Sequence, residues 1–174
     1  MSWDEVDESV CPIARSLSVV GDRWTLLILR ELSMGSTKFD EIQAQTGMSS
    51  FLLSTRLKRL EADGVIERVP YSDRPLRYEY VTTAKGKELD PVLLALRGWG
   101  MRWGGYRKNE APAVDLKLRR TGETIGADWV PGKADSPFTF ERCDAKVGRK
   151  FAAERQGRAA AFRAGRRAGA AKAD

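Results

Sequence analysis

The order of elements in residues 38–82 constrains the fold of this chain more than any other feature. Residues 38–46 predict a short amphipathic helix, and residues 50–63 predict a second helix that begins after the N-cap Ser49. The connection GMSS has the length and the glycine of a helix-turn-helix. Residues 65–82 alternate on either side of the turn SDRP, which predicts a β-hairpin. We therefore expect two helices and a two-stranded wing in one small unit.

Three more helices are predicted around this segment. Residues 12–20 begin with proline at the first helical position and repeat apolar residues with helical spacing. Asp22 then caps RWTLLILRELSM, whose apolar residues cover most of the helix circumference, so we expect this helix to be central and buried. A last helix begins at Asp90 and Pro91, with Asp90 as its cap, and carries one apolar stripe that requires a partner surface. The stripe contains Val92, Leu93, Leu96, Trp99 and Trp103.

The helix over residues 50–63 has two different faces. Leu53, Leu57 and Leu60 form an apolar stripe, whereas the opposite arc offers hydroxyls, one aromatic ring and cations. Such groups contact phosphates, base edges and thymine methyl groups, although an ordinary solvated face is the competing interpretation. In a winged helix-turn-helix the second helix enters the major groove and the wing contacts the adjacent backbone or minor groove. The predicted DNA-binding residues are Ser49, Ser50, Phe51, Ser54, Thr55, Lys58 and Arg59 on the helix, and Arg74 and Arg77 on the wing.

The positive charge of the chain is concentrated at its C-terminal end. The whole chain has a formal net charge of +6, and residues 145–174 contain nine Lys or Arg and two Asp or Glu, or +7. Residues 1–144 therefore carry −1. The tail is rich in Ala, Arg and Gly and poor in apolar residues, so we expect it to be disordered. It either adds sequence-independent attraction to phosphates or serves only as a solubilising extension.

Several classes of function have little support in the composition. The chain contains no histidine, which excludes a Ser-His-Asp triad, a Cys-His pair and zinc sites that use imidazole. It contains two distant cysteines and no glycine-rich phosphate loop, so we expect no enzyme, no cofactor and no metal. No apolar run approaches the roughly 20 residues of a membrane helix, and the N-terminus has no secretory pattern. A cytoplasmic location without a membrane partner is expected.

Most of residues 11–103 resembles the HxlR-type winged helix-turn-helix family of bacterial transcription regulators. The resemblance is carried by CPIARSLSVVGDRWTLLILREL, KFDEIQAQTGMSSFLLSTRLKRLEADGVIER and YSDRPLRYEYVTTAKGKELDPVLLAL. It implies a homodimer, built from the first and last helices, that binds double-stranded DNA at a two-fold operator, often as a repressor and sometimes as an activator. The implied dimer interface comprises Ile13, Leu17, Val92, Leu93, Leu96, Trp99 and Trp103.

Cys11 matches the position at which oxidant-sensing or electrophile-sensing members of this family keep a reactive cysteine. A thiolate at a helix N-terminus is stabilised by the helix dipole, which agrees with a redox sensor. A small structural cysteine is the alternative.

The sequence thus predicts a mainly α fold with a small β wing, followed by a β-rich appendage. The expected parts are an acidic arm (1–10), the DNA-binding and dimerisation domain (11–104), the appendage (105–144) and the basic tail (145–174). Within the appendage, the segments VDLKLRR, TGET and SPFTFER predict two or three short strands around Trp129. The leading function is a DNA-binding transcription regulator, with an effector that the sequence does not identify. A winged-helix module for protein interaction is the alternative.

Overall fold

The computed structural model describes residues 6, 8–105 and 112–170 and divides into two compact units, with the boundary between Gly86 and Lys87. The elements of the first unit are α1 (Pro12–Val20), α2 (Arg23–Ser33), α3 (Phe39–Thr46), α4 (Ser50–Ala62), β1 (Ile66–Asp73) and β2 (Leu76–Thr82). A one-turn helix, α5 (Ala84–Lys87), spans the boundary. The elements of the second unit are α6 (Asp90–Trp103), β3 (Val114–Leu118), β4 (Cys143–Val147) and α7 (Arg149–Ala170).

Helices α1, α2 and α4 begin where the sequence predicts, and α3 begins at Phe39, one residue later than predicted. The carboxylate of Asp22 accepts hydrogen bonds from the backbone N–H groups of Trp24 (2.9 Å) and Thr25 (3.1 Å), which fixes the start of α2. The hydroxyl of Ser49 accepts from Leu52 N–H at 3.2 Å and starts α4 in the same way. Between α3 and α4, Gly47 has a φ of 71°, a left-handed conformation that favours glycine and turns the chain sharply.

The core of the first unit confirms the predicted apolar stripe of α4. Leu53, Leu57 and Leu60 expose 1% of their surface or less. They share this core with Ile28 of α2 and Ile42 of α3, both fully buried. Truncating any of these leucines to alanine in such a site costs about 2–5 kcal/mol of stability. The buried stripe therefore fixes which face of α4 points outward.

The wing is an antiparallel hairpin with one irregularity that the sequence did not predict. Its register shifts between Pro70 and Ser72, so Tyr71 has no partner on β2 and forms a bulge. On the other edge of β2, Tyr80 N–H donates to the carbonyl of Thr37 at 2.8 Å, and Lys38 bridges to Glu79. The hairpin is thus attached to the residues that begin α3.

The second unit is built around α6 and a small apolar core. Leu94 of α6 packs with residues of the predicted appendage, so the observed boundary lies before α6 and not after residue 104. The rings of Trp129 and Phe138 meet edge to face at 5.7 Å, and those of Phe138 and Phe140 at 5.0 Å. The buried core comprises Leu94, Leu116, Leu118, Ile125, Phe138 and Cys143.

Two local predictions for the second unit are wrong. Asp90 does not cap α6, because its carboxylate instead accepts a hydrogen bond from Phe140 N–H at 3.0 Å. Burial raises the pKa of Asp90, and the hydrogen bond from Phe140 opposes that rise. The segment SPFTFER does not form a strand over its length, since residues 140–142 make a 3-10 turn and β4 begins at Cys143.

The prediction of a disordered tail is also wrong for residues 145–170, while residues 171–174 lie outside the described part of the chain. Residues 145–147 belong to β4, and residues 149–170 form the long helix α7. Alanine and arginine have high helix propensity, and Glu154 pairs with Arg158 one turn later. A helix of 22 residues also exceeds the length below which isolated helices are marginal. Low apolar content limits tertiary packing, but it does not prevent helix formation.

Candidate nucleic-acid interface

The outward face of α4 contains most, but not all, of the predicted contact residues. Ser50, Thr55 and Lys58 are exposed, and Phe51 exposes 82% of its surface. Ser54 is only half-exposed, because its position lies close to the edge of the leucine stripe. The ring of Phe51 lies in the first turn of α4 and is therefore accessible to a ligand.

The hydroxyl groups of this face differ in what they offer a ligand. Ser49 uses its oxygen as the cap acceptor, which leaves its O–H as a donor. The Oγ1 of Thr55 donates to the carbonyl of Phe51 at 2.9 Å, which leaves its lone pairs as acceptors. These two side chains are therefore suited to opposite partners: an acceptor for Ser49 and a donor for Thr55.

Two of the three cations on α4 are engaged inside the first unit. Arg59 donates to the carbonyl of Ser18 at 3.0 Å and lies 3.8 Å from the carboxylate of Asp63. Arg56 lies 3.5 Å from the carboxylate of Asp22. The predicted phosphate contact of Arg59 thus competes with contacts that hold the end of α4 to α1, whereas Lys58 is an exposed ammonium on the outward face.

Asp22 links the start of α2 to α4 and has a perturbed pKa. Burial acts to raise the pKa of this carboxyl, but the hydrogen bonds from Thr25 and Trp24 and the charge of Arg56 together lower it below its ordinary value of 3.8. The carboxylate form is therefore the one that the fold stabilises.

The wing brings exposed arginines and aromatic rings to the same hairpin. Arg74 lies in its turn and Arg77 near the start of β2, and both are exposed. Two further cations escaped prediction from the sequence: Lys38, 5.0 Å above the ring of Tyr71, and Arg68, 5.1 Å above the ring of Tyr78. These contacts depend on the bulge and on strand register, and neither leaves a local sequence signal.

An ion pair joins the wing to α4. Arg68 Nε lies 2.8 Å from Glu61 Oε1, so the acidic residue on α4 is neutralised by the wing. Glu61 would otherwise repel a phosphate backbone. All the predicted DNA-binding residues, from Ser49 to Arg77, belong to this one unit.

The predicted dimer-interface residues are exposed in each unit. On α1, Ile13 and Leu17 expose 70% and 44% of their surfaces. On α6, Trp99 exposes 59% and Trp103 72%; Val92 and Leu96 are also exposed, and Leu93 is half-buried. Apolar groups repeated along one helix face in this way mark an interaction surface more often than a solvated one.

The two cysteines are both free thiols in contrasting surroundings. Cys11 is exposed and stands at the N-cap of α1, where its N–H donates to Ser9 Oγ at 3.2 Å. Cys143 lies in the core of the second unit, and burial raises the pKa of its thiol. Accessibility and helix position thus favour Cys11, and not Cys143, as a site of oxidation.

Other kinds of site find no support in the described ranges 8–105 and 112–170. No group of three or more His, Cys, Asp or Glu residues there is arranged to hold a metal ion. No helix in the same ranges is long and apolar enough to cross a bilayer.

Comparison with known proteins agrees with this geometry. The sequence model of the HxlR-like helix-turn-helix family matches residues 19–108. The HTH-type transcriptional regulator Rv3095 of Mycobacterium tuberculosis is 38% identical over 111 residues, which cover 64% of this chain and 69% of that protein.

Two solved structures extend the comparison. The crystal structure of PA1607, described as a transcription factor, is 35% identical with a TM-score of 0.62, and the match covers 82% of this chain and 97% of that one. The redox regulator HypR in its oxidised form is 30% identical with a TM-score of 0.50, covering 53% of this chain and 96% of that one. The likeness to PA1607 extends beyond the residues that the family model matches.

Proposed function

The chain belongs to the HxlR-like helix-turn-helix family of transcription regulators, and we propose that two copies of it bind a two-fold operator through α4 and the wing. The observation that carries this proposal is the outward face of α4, where Phe51, Thr55 and Lys58 are exposed on a helix fixed by three buried leucines. A base-reading helix requires this combination, because its side chains must reach base edges while its backbone stays in place.

We assign separate roles to the two ends of the outward face. Recognition helices contact bases mainly through their N-terminal residues. Ser50 and Phe51 are therefore the candidates for base contact, with the ring against a thymine methyl group. Thr55 and Lys58 lie one and two turns further on and suit the base edges of the next step.

We infer that the wing contributes affinity more than sequence discrimination. Arg74 and Arg77 are exposed at the tip of the hairpin, where a winged helix contacts the backbone or the minor groove. A guanidinium binds a phosphate through two parallel N–H groups, and this contact is independent of the base.

We propose that a second copy of the chain covers the exposed apolar residues of α1 and α6. A two-fold dimer would match two half-sites about 34–36 Å apart or at a multiple of this distance. Linking two half-site contacts in this way raises the affinity for the operator without any new contact. Repression is the expected outcome when such a site overlaps a promoter.

Regulation through Cys11 is a second candidate function. Its support is the exposed thiol at the first turn of α1 and the 30% identity to HypR, which is a redox regulator. Operator affinity would be measured before and after alkylation of Cys11, with Cys11→Ser treated in parallel as the control. Alkylation that leaves the affinity of the native chain unchanged would end this proposal.

Selection from randomised DNA tests the main proposal and identifies the operator at the same time. The purified chain is mixed with duplexes of random central sequence, and the retained DNA is sequenced. We expect an inverted repeat whose half-site centres are about 10 bp or a multiple of this apart. If no duplex is retained even at low salt, the proposal fails and the alternative of a protein-interaction module takes its place.

A further inference from the structure

Helix α7 differs in charge from every other part of the chain. Residues 149–170 contain seven Lys or Arg and a single Glu, a formal charge of +6. The positive residues are Arg149, Lys150, Arg155, Arg158, Arg163, Arg166 and Arg167. The family match ends at residue 108, so this helix lies outside the part of the chain to which the family assigns a role.

The charge is segregated to one side of α7. With about 100° per residue, all six arginines and both phenylalanines fall within one half of the helix circumference. The opposite half consists of alanine and glycine together with Lys150 and Glu154. A helix whose larger side chains are gathered on one face in this manner has a single binding face, and that face is basic.

Two of the arginines on this face stack on its two phenylalanines. The guanidinium carbon of Arg155 lies 5.6 Å from the ring centroid of Phe151, and that of Arg166 lies 5.8 Å from the ring of Phe162. A cation–π contact uses the flat face of the guanidinium and does not consume its N–H edge. Stacking therefore restricts the side chains of Arg155 and Arg166 on this face.

The chemistry of this face favours a phosphate polymer over a membrane. A helix that lies in a bilayer interface needs a broad apolar face, and α7 offers only Phe151 and Phe162, both half-buried. A guanidinium group can bind a phosphate through two parallel N–H···O hydrogen bonds. At about 1.5 Å per residue, the helix is roughly 33 Å long, close to the roughly 34 Å of one DNA turn.

We propose that α7 is a second DNA-binding element, which contacts the phosphate backbone without reading its sequence. This inference rests on the proposed function, because it takes duplex DNA as the partner of the chain. A DNA-binding protein needs positive charge to compete with salt cations for phosphates, but residues 1–144 carry a net charge of −1. In this chain α7 supplies the missing positive charge.

The test uses three exposed arginines of the basic face. The variant Arg163→Gln/Arg166→Gln/Arg167→Gln removes their charge, and Arg163→Lys/Arg166→Lys/Arg167→Lys is the matched control that keeps it. Glutamine and lysine both have good helix propensity, so α7 persists, as circular dichroism will verify. The Kd for the selected operator and for a random duplex is measured between about 50 and 200 mM salt.

We expect the Gln variant to reduce the slope of log K against log[salt] by about 0.9 for each phosphate that the helix no longer neutralises, and to weaken binding to both duplexes by about tenfold or more near physiological salt. The ratio of the two Kd values should not change. The Lys variant should keep the slope of the native chain.

An unchanged slope in a helical Gln variant overturns the inference, while native binding to the operator still supports the proposed function. Vesicles containing about one third phosphatidylserine are the comparison ligand. If the native chain binds these vesicles through the three arginines and its DNA slope is unaffected by the Gln variant, α7 is a membrane-binding helix and the inference is wrong. If the native chain binds no duplex at all, the proposed function fails as well.

Discussion

Helices α4 and α7 both present polar side chains to solvent, but they are held in opposite ways. α4 buries Leu53, Leu57 and Leu60, whereas none of residues 149–169 in α7 is buried. Two of the three cations of α4 are engaged in internal ion pairs, while α7 has a charge of +6 with one acidic residue. The helix proposed to read sequence is anchored, and the helix proposed to bind phosphate is exposed.

This difference follows from what each task demands. Discrimination between bases depends on hydrogen bonds and methyl contacts of defined geometry, so the reading helix must be fixed by a core. Attraction to phosphates depends on charge and on the release of counterions, which tolerates variation in position. In this chain the basic helix could therefore raise the affinity for DNA without changing the sequence that α4 reads.

Disrupting the dimer should have the largest effect on DNA binding. It should weaken specific binding through α4 far more than non-specific binding through α7. We expect Trp99→Ala/Trp103→Ala to give a monomer, because both rings are exposed for a partner copy. The affinity for the operator should fall by about 100-fold or more as the two half-sites are no longer linked. Binding of random duplex, to which α7 contributes, should fall far less. Analytical ultracentrifugation and fluorescence anisotropy measure the two effects.

The matched control for the dimer variant is Val130→Ala, since Val130 is also apolar and exposes 77% of its surface in the second unit. It should leave a dimer with native affinity. A tryptophan variant that remains dimeric at micromolar concentration would contradict the assignment of this face.

Removing contacts from the outward face of α4 should weaken specific binding next most strongly. We expect Thr55→Ala/Lys58→Ala to cost about 1–3 kcal/mol in operator binding, or about tenfold to 100-fold in Kd, with a smaller loss on random duplex. Both side chains are exposed, so the thermal unfolding curve should not change. Lys133→Ala, an equal loss of charge on the second unit, is the control and should bind normally. Equal losses on both duplexes would show that α4 does not read sequence.

Changes on the wing should have a moderate effect that is independent of sequence. Arg74→Ala and Arg77→Ala should each weaken operator and random duplex alike by a few-fold, and each should lower the salt slope by about 1. Replacement by lysine should restore most of the slope, because the contact is with phosphate. A variant that changes the preferred sequence in a repeated selection would instead place the arginine in a groove.

The smallest of the predicted effects is a loss of stability in acid through Asp22, which links the start of α2 to α4. The folded-state pKa of Asp22 is lowered, so its carboxylate stabilises the fold above the ordinary value of 3.8, and this contribution is lost as pH falls through the folded pKa. Asn is an equally good N-cap but loses the attraction to Arg56, so Asp22→Asn should lower the free energy of unfolding by less than about 1 kcal/mol near pH 7, with a shallower decline in acid. Urea unfolding at several pH values measures this.

Asp90→Asn is the matched comparison, because burial raises the pKa of Asp90. A raised carboxyl pKa destabilises the fold as pH rises through the ordinary value of 3.8. Asp90→Asn removes this loss, so the decline of stability toward acid should become steeper, the opposite of the change expected for Asp22→Asn. Identical pH profiles for the native chain and Asp22→Asn would contradict the link between this carboxylate and stability.

The sequence predicted the first unit well because its signals are local. Caps such as Asp22 and Ser49, the leucine stripe and the Gly47 turn each act within a few residues, and each is present in the structure. The outward face of α4 was predictable to within one residue for the same reason. Ser54 is only half-exposed, and a helix wheel could not show this because it does not indicate how far the core reaches around a helix.

What the sequence did not predict depends on distant partners. The engagement of Arg59 requires the carbonyl of Ser18, and the stacking of Lys38 on Tyr71 requires a bulge in the wing. The place of α6 in the second unit depends on Leu94 packing against residues of the predicted appendage. The error on the tail had another cause: low apolar content was interpreted as disorder, although alanine and arginine favour a helix by themselves.

One measurement tests most directly whether α4 recognises bases while α7 binds phosphates without regard to sequence. The ratio of the Kd for random duplex to the Kd for the selected operator is determined at one salt concentration for three proteins: the native chain, Thr55→Ala/Lys58→Ala on α4, and Arg163→Gln/Arg166→Gln/Arg167→Gln on α7. We predict that the α4 variant lowers this ratio several-fold, whereas the α7 variant raises both Kd values and leaves the ratio unchanged. If the ratio is unchanged in the α4 variant and falls in the α7 variant, this assignment of roles to the two helices is contradicted.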